Sequence, residues 1–349
     1  MPAGGVEGVA EGVAEGVAEG VAPPPRCGVP KQAKHPPAAE RPAKYDEKAT
    51  ARKEVRSGVP KKAYRTQMRM PRRDANPILF VAMAEPVALN VLDLSQNWDT
   101  DTPGFARYDG PSIKWVKRVA FEGVGGMEIT STLHVGTHLD APNHFITNAR
   151  GIGELPMDFL VGPACVVDLQ KMGIGDYQIY GPEHFERWEQ QTGITIQRGD
   201  ILVIHTGYHR FYPSNWTADC GPIQPDETRY FIKHPGPTRE FANWVKSRGI
   251  RWLAVDAGSA DHPMNTVIRQ VRPDHAKKCA AALGKPLEEF WPDDDIQVMH
   301  YDLFPHEIIH IENAGGHIDR VLDQRVTVGC FPWRFMGGEA AFCRFVAFV

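Results

Sequence analysis

Three histidines and one aspartate fall within eleven residues of this sequence, at His134, His138, Asp140 and His144. Neutral imidazole and ionised carboxylate are preferred protein ligands of zinc, and they also bind manganese and iron. A divalent ion held by such a set can activate a water molecule at neutral pH, which is the basis of metal-dependent hydrolysis. The spacing therefore predicts a metal centre and a hydrolytic reaction.

The local sequence favours a turn over a helix for this cluster. A spacing of four would bring His134 and His138 to one helix face. However, Gly136 lies between them and Pro142 follows, and both residues oppose a regular helix. We expect a tight turn at the end of a strand over 127–135, which directs the first three ligand side chains inward together.

A second group of potential ligands lies far downstream. It offers His300, His306, Glu307, His310 and Glu312. We predict a strand over residues 307 to 311, in which Glu307 and His310 point to opposite faces because side chains alternate along a strand. Composition alone does not show which of the five side chains reach an ion.

Two further histidines and an aspartate lie outside both groups. His205 and His209 fall at the end of a predicted strand over 201–205, where we expect structural or rim positions. Asp256 follows another strand that is apolar enough to be buried. It either hydrogen-bonds a metal-binding histidine or caps the turn that contains Gly258.

The segment from His134 to His144 resembles the H-x-G-T-H-x-D-x-P-x-H motif of the cyclase-like metal-dependent hydrolases. This family includes bacterial kynurenine formamidase, isatin hydrolase and a zinc-dependent dienelactone hydrolase. The resemblance covers about residues 88–349. Shorter segments similar to the family follow in the expected order, at Asp93-Leu-Ser95, Thr102-Pro103, Thr206-Gly207 and Glu312-Asn313.

The resemblance implies a role for each residue of the motif. His134 and His138 match the ligands of a first ion, and Asp140 matches a carboxylate that bridges two ions. His144 matches the residue that acts as general acid and base.

The resemblance also implies ligands and a substrate contact outside the motif. In the formamidase branch, a histidine twelve residues before the late glutamate binds the second ion, which selects His300 as the partner of Glu312. His306 and His310 then become candidates for supporting or structural positions. Phe105 falls where that branch has a substrate-stacking aromatic residue, usually Trp, and it is the candidate substrate contact.

The elements that must position these residues begin near residue 87. Helical patterns cover Glu183–Gln191, Thr238–Ser247 and Asp274–Leu283. Short runs rich in β-branched and aromatic residues, bounded by Gly and Pro, predict strands: Val87–Leu94, Lys114–Phe121, Met127–Val135, Ala164–Leu169, Ile201–His205, Arg251–Val255, Glu307–Ile311 and Ala341–Val349. We predict a single α/β domain over 83–349, with a mixed sheet and early hairpins. The resemblance implies the swivelling β/β/α type.

Residues 1–82 differ in composition from the rest of the chain. Glu-Gly-Val-Ala occurs four times in succession from Glu7 to Ala22, and a basic, proline-rich stretch continues to about Asp74. Repeated glycine opposes a helix, and this composition cannot bury a core. We therefore predict a disordered leader, and Met83 is an alternative start of the chain.

Composition also argues against a membrane-spanning, secreted, disulfide-rich or nucleic-acid-binding protein. No apolar run approaches the ~20 residues that span a bilayer, and the first residues lack a signal-peptide pattern, so the cytoplasm is the expected location. Six cysteines without a C-x-x-C pair argue against a disulfide framework and a thiolate zinc site. The part predicted to fold is acidic and has no nucleic-acid footprint.

We expect a small-molecule substrate, namely an amide, formamide or cyclic amide, cleaved by water activated on one or two divalent ions of zinc or manganese. An alternative within the class is a lactone hydrolase of the dienelactone type. A second alternative is a non-catalytic metal-binding protein whose basic tail contacts nucleic acid or an acidic partner. The resemblance implies a homodimer or a homotetramer.

Overall fold

The computed structural model describes residues 89–349 apart from 107, 214–223 and 294. The leader predicted over 1–82 lies outside the described residues. Within them the chain forms twelve strands, β1 to β12, which are Val91–Asp93, Ser112–Lys117, Gly126–Thr130, His138–Asp140, Val161–Asp168, Ile179–Tyr180, Ile201–His205, Gly236–Pro237, Leu253–Val255, His310–Glu312, Gln324–Pro332 and Ala340–Phe348. The α-helices of the described part, α1 to α7, are Val119–Glu122, Met157–Leu160, Pro182–Thr192, Arg239–Arg248, Ile268–Val271, Pro273–Leu283 and Val298–Leu303.

Eight strands form one mixed sheet in the order β1-β12-β11-β5-β7-β9-β10-β4. The strands β5, β7, β9 and β10 run parallel to one another, and the remaining pairings are antiparallel. Because β4 also pairs with β12, the sheet closes on itself like a barrel. This architecture confirms the predicted single α/β domain with a mixed sheet.

Apolar side chains cover both faces of the parallel strands. Trp252, Phe304 and Phe345 belong to the core on one face, whereas Trp188 and Phe241, from α3 and α4, pack against the other. Parallel strands that are buried on both faces have continuous apolar sequences, and Ile201–His205 was predictable for this reason. Among the described residues, no helix is long and apolar enough to cross a membrane.

Local predictions differ from the structure mainly at strand limits. The three predicted helices are present as α3, α4 and α6, and β2 and β3 form the expected early hairpin. The strand predicted from Glu307 begins only at His310, because Glu307 adopts a φ of 57° at the end of a 3-10 turn. The strand predicted to end at Val135 stops at Thr130, and the short strand β4 follows the turn instead.

Candidate metal centre

The pairing of β4 with β10 places four potential ligands on one face of the sheet. His138 lies directly opposite Glu312 in this antiparallel pair. Residues two apart on a strand share a face, and so do residues directly opposite each other on neighbouring strands. Asp140 and His310 therefore lie beside His138 and Glu312, and all four side chains are buried.

A glycine turn sets the geometry of the first histidines. Gly136 has a φ of 66°, and a Cβ atom at this position would lie 2.8 Å from Cδ1 of Trp98, so a larger residue does not fit. The carbonyl of Gly136 accepts a hydrogen bond from Nδ1 of His138 at 2.8 Å. Thr137 donates its hydroxyl proton to the carbonyl of Asn313 at 2.6 Å, which joins the turn to the end of β10.

One side of Asp140 faces two histidines. Oδ1 of Asp140 is 3.2 Å from Nδ1 of His134 and 3.4 Å from Nε2 of His138. The two ring nitrogens are 3.2 Å apart. Ligands that each lie ~2.1 Å from a tetrahedral ion are separated from one another by ~3.4 Å, so these three atoms match the spacing for one ion.

The other side of Asp140 faces two more histidines. Oδ2 is 3.3 Å from Nε2 of His310 and 3.6 Å from Nε2 of His300. Oε1 of Glu312 is 3.5 Å and 3.9 Å from the same two nitrogens. The structure thus brings His300 and Glu312 to the motif from more than 150 residues away, and it adds His310, which the sequence suggested only for a supporting or structural position.

The residues present fit a pair of divalent ions. Both carboxylate oxygens of Asp140 are buried and make no hydrogen bond with any described residue. An ionised carboxylate in that state is costly unless cations compensate it. Four imidazoles and the carboxylate of Glu312 surround these oxygens, and zinc, manganese and iron all accept such a donor set.

Most of the histidines have one ring nitrogen held by a second group. Nδ1 of His300 lies 2.5 Å from Oδ2 of Asp261, and Nε2 of His134 lies 2.7 Å from Oε2 of Glu339. The opposite nitrogen of each ring is the one that faces Asp140. Metal-binding histidines typically have this arrangement, in which a carboxylate or carbonyl fixes the tautomer. His310 differs, since its buried Nδ1 makes no hydrogen bond with any described residue.

The charges around these rings favour a cation. Burial alone would lower the pKa of His134, but the charge of nearby Asp140 and the hydrogen-bonded carboxylate of Glu339 raise it to about 11. Asp140 and the other buried carboxylates likewise raise the pKa of His300 to about 10 against the effect of burial. Burial and the neighbouring His300 lower the pKa of His310. Carboxylates that hold protons on imidazoles also attract a metal ion in their place.

His144 lies beside this centre in a 3-10 turn over Pro142–His144. Its Nδ1 is 2.9 Å from Oε2 of Glu339, the same oxygen that contacts His134. Burial would raise the pKa of Glu339, but His134 and His144 together lower it to about 2. Sequence reasoning missed Glu339 because it precedes β12 and reaches the site only through the β4–β12 pairing.

A cavity of about 260 Å³ opens onto the centre. Tyr108 stacks on the ring of His134, with centroids 5.0 Å apart. The cavity wall combines aromatic and polar side chains, among them Phe105, Tyr108, His144, Phe145, Gln297 and Glu312. Apolar walls with a few convergent polar groups are typical of small-molecule sites. Phe105, the candidate substrate contact, therefore lies where a ligand of the centre would reach it.

Comparison with known proteins agrees with this fold and site. Residues 92–262 match the family model "Cyclase", described as "Putative cyclase". The chain is 24% identical over 247 residues to kynurenine formamidase of Bacillus cereus, which covers 70% of this chain and 85% of that protein. It is 28% identical over 180 residues to kynurenine formamidase of Geobacillus thermodenitrificans, covering 49% and 69% of the two chains.

Solved structures show the same architecture. Isatin hydrolase A from Ralstonia solanacearum superposes with a TM-score of 0.58 at 18% identity, covering 80% of this chain and all of that one. Isatin hydrolase A from Labrenzia aggregata, bound to benzyl benzoate, gives a TM-score of 0.57 at 19% identity, covering 75% and 94%. The fold is that of the isatin hydrolases, and the histidine–carboxylate centre is similar to what the resemblance to the cyclase-like metal-dependent hydrolases implies. The chain resembles this family, and the family model matches residues 92–262.

Proposed function

We propose that this protein hydrolyses a small amide, formamide or cyclic amide. The observation that carries the proposal is the position of Asp140, whose two buried oxygens each face a pair of histidine nitrogens. Relatives named kynurenine formamidase and isatin hydrolase support this reaction class.

The centre accommodates two ions of zinc or manganese. We propose that one ion is held by His134, His138 and Asp140, and the second by Asp140, His300, His310 and Glu312. When bound, such ions polarise a carbonyl group and lower the pKa of water toward neutrality. Asp140 serves both ions because an ionised carboxylate has two acceptor oxygens, and the groups behind the histidines hold each ring in its orientation.

His144 is the proposed general acid and base. Its Nδ1 is engaged by Glu339, so Nε2 is the ring nitrogen available to the cavity that His144 lines. In this role His144 accepts a proton from the attacking water and delivers it to the leaving nitrogen. The contact of Nδ1 with Glu339 orients the ring for this transfer.

The cavity favours a small substrate with a flat apolar part. Its volume of about 260 Å³ lies just below the usual range for drug-sized ligands. Phe105, Tyr108 and Phe145 supply aromatic surface beside the carboxylate of Glu312. We propose that these rings hold the substrate with its carbonyl directed toward Asp140, and that they keep bulk water away.

A matched substrate panel tests the proposal. We expect the full chain, loaded separately with zinc and manganese, to hydrolyse an aryl formamide or a benzo-fused cyclic amide at least ~10-fold faster than the corresponding lactone. Chelation should abolish this turnover, because the polarising ions are lost. Preference for the lactone would favour the dienelactone-type alternative. Full metal content without turnover of any class would favour a metal-binding protein that is not an enzyme.

The fold type and the oligomeric state of the protein are also proposed. We infer that the domain is of the swivelling β/β/α type and that the chain assembles as a homodimer or homotetramer. The hairpin formed by β2, the connecting helix α1 and β3 supports assembly, because it exposes large apolar side chains, including Trp115, Phe121 and Ile129. Exposed apolar surface of this kind is typical of interaction sites.

Charged substitutions on this hairpin are expected to dissociate the assembly. The double variant Trp115→Glu/Phe121→Glu should elute as a monomer in size-exclusion chromatography with light scattering, because burial of two carboxylates in an apolar interface is costly. Lys117→Glu changes a charge on the same hairpin without removing apolar surface, and it should stay assembled. A wild-type chain that is monomeric at all concentrations would contradict the inference.

A further inference from the structure

A second group of histidines and carboxylates lies at the carboxyl ends of the parallel strands. Asp168 is the last residue of β5, His205 is the last residue of β7, and Asp256 directly follows β9. His209 belongs to a 3-10 turn over Tyr208–Phe211 that begins just after β7. All four side chains are buried. The carboxyl ends of parallel strands are the edge at which α/β proteins place their ligands.

The two histidines are oriented as metal ligands are. Nδ1 of His205 is 2.8 Å from Oδ1 of Asp168, and Nδ1 of His209 is 3.1 Å from Oδ2 of Asp256. A carboxylate on one ring nitrogen fixes the tautomer and leaves the other nitrogen with a free lone pair. Both Nε2 atoms are buried and make no hydrogen bond with any described residue.

Both free nitrogens converge on one carboxylate. Nε2 of His205 is 3.4 Å from Oδ1 of Asp319, and Nε2 of His209 is 3.5 Å from Oδ2 of the same residue. These distances are long for a hydrogen bond. Each is close to the ~3.4 Å separation of two ligands that lie ~2.1 Å from a tetrahedral ion, with each nitrogen facing a different oxygen of the carboxylate. Oδ2 of Asp256 lies 3.8 Å from Nε2 of His205, within reach of a fourth position.

We propose that His205, His209 and Asp319 form an additional site for a divalent transition ion such as zinc, with Asp256 or water as the fourth ligand. None of these residues belongs to the Asp140 centre. The histidines are at most 3% exposed, whereas the side chain of Asp319 is 30% exposed. An ion can therefore reach the ring nitrogens past Asp319.

The site is structural in this proposal. It joins the ends of β5, β7 and β9 to the 3-10 turn over Ile318–Arg320, which follows β10. Arg210 already binds Oδ1 of Asp319 at 2.8 Å. The competing arrangement holds no ion, and the histidines only pair with the surrounding aspartates. In support of that arrangement, the surrounding aspartates raise the pKa of His205 to about 9 against the effect of burial.

Zinc stoichiometry distinguishes the two arrangements. The full chain is stripped with a chelator and titrated with zinc chloride, and bound zinc is counted by elemental analysis after desalting. Asp319→Asn should bind one zinc fewer per chain than the wild type and should keep its hydrolase turnover. Asp176→Asn is the matched control. The side chain of Asp176 is 32% exposed and bound to Arg229 at 2.8 Å, and it is not part of either cluster. It should retain the wild-type stoichiometry.

Equal zinc content in both variants and the wild type would overturn the proposal in favour of the arrangement without an ion. Should Asp319→Asn fail to fold, the wild type still decides the question. Anomalous scattering from zinc-soaked crystals should give a peak between Nε2 of His205 and Nε2 of His209. Absence of that peak, with zinc visible at Asp140, would equally reject the site. Neither result depends on the substrate of the Asp140 centre.

Discussion

Replacement of Asp140 by Asn is expected to abolish hydrolysis and to remove metal from both halves of the centre. The oxygens of Asp140 face both members of each histidine pair. Asparagine keeps the shape but offers one neutral oxygen and an NH₂ group that cannot act as a ligand. We expect turnover to fall by ~10³-fold or more, because the ions that polarise the carbonyl and activate water are lost together.

Metal analysis and kcat measured on the same preparation test this expectation. Asp200→Asn is a suitable control, because Asp200 is also a buried carboxylate and pairs with Arg325, but it precedes β7 and is not part of the centre. It should lower the melting temperature and leave both ions bound. If Asp140→Asn kept two ions per chain and near wild-type turnover, the bridging role would be wrong.

The local part of the centre was predictable because it depends on neighbours in the chain. His134, His138 and Asp140 are close in sequence, and Gly136 and Pro142 predict the turn that brings their side chains together. A short, buried strand such as β4 leaves no alternating pattern, so its presence could not be inferred from the sequence. The spacing of residues did not predict which distant side chains complete the centre. The resemblance to the cyclase family implied His300 and Glu312.

The long-range part depended on strand pairing that the sequence does not display. His310 and Glu312 are two residues apart and share a face of β10. The predicted strand ended at Ile311 and left Glu312 out, so the sequence did not indicate that His310 and Glu312 point to the same face. Glu339 joins His134 and His144 only because β12 pairs with β4, a contact across some 200 residues. Register of this kind is fixed by tertiary packing.

The dependence on strand pairing also explains why the sequence did not reveal the cluster of His205, His209 and Asp256. His205 and His209 were expected in structural or rim positions, and the structure buries both. Asp256 was expected to bond a metal-binding histidine or to cap the turn containing Gly258. It accepts hydrogen bonds from Thr206 and from His209. It therefore closes the turn after β7 and orients the ring of a histidine that we propose as a ligand of the additional site. Only the sheet order brings β5, β7 and β9 to one edge.

Replacement of His144 by Ala is expected to lower kcat by ~10²- to 10⁴-fold, the usual contribution of a general acid–base group. Metal content should stay at the wild-type level, because the nitrogens that face Asp140 belong to other histidines. Added imidazole should restore part of the turnover. Glu339→Gln should cause a smaller loss of ~10- to 100-fold, as expected for a group that orients a functional histidine.

His306→Ala provides the matched control for this loss. His306 is an exposed histidine that lies between His300 and His310 in the sequence. It is not among the residues that line the cavity. Its replacement should leave both kcat and metal content unchanged. The variants separate metal binding from proton transfer, because Asp140→Asn should lose ions and turnover, whereas His144→Ala should lose turnover alone. Full turnover in His144→Ala, with both ions bound, would mean that another group moves the proton.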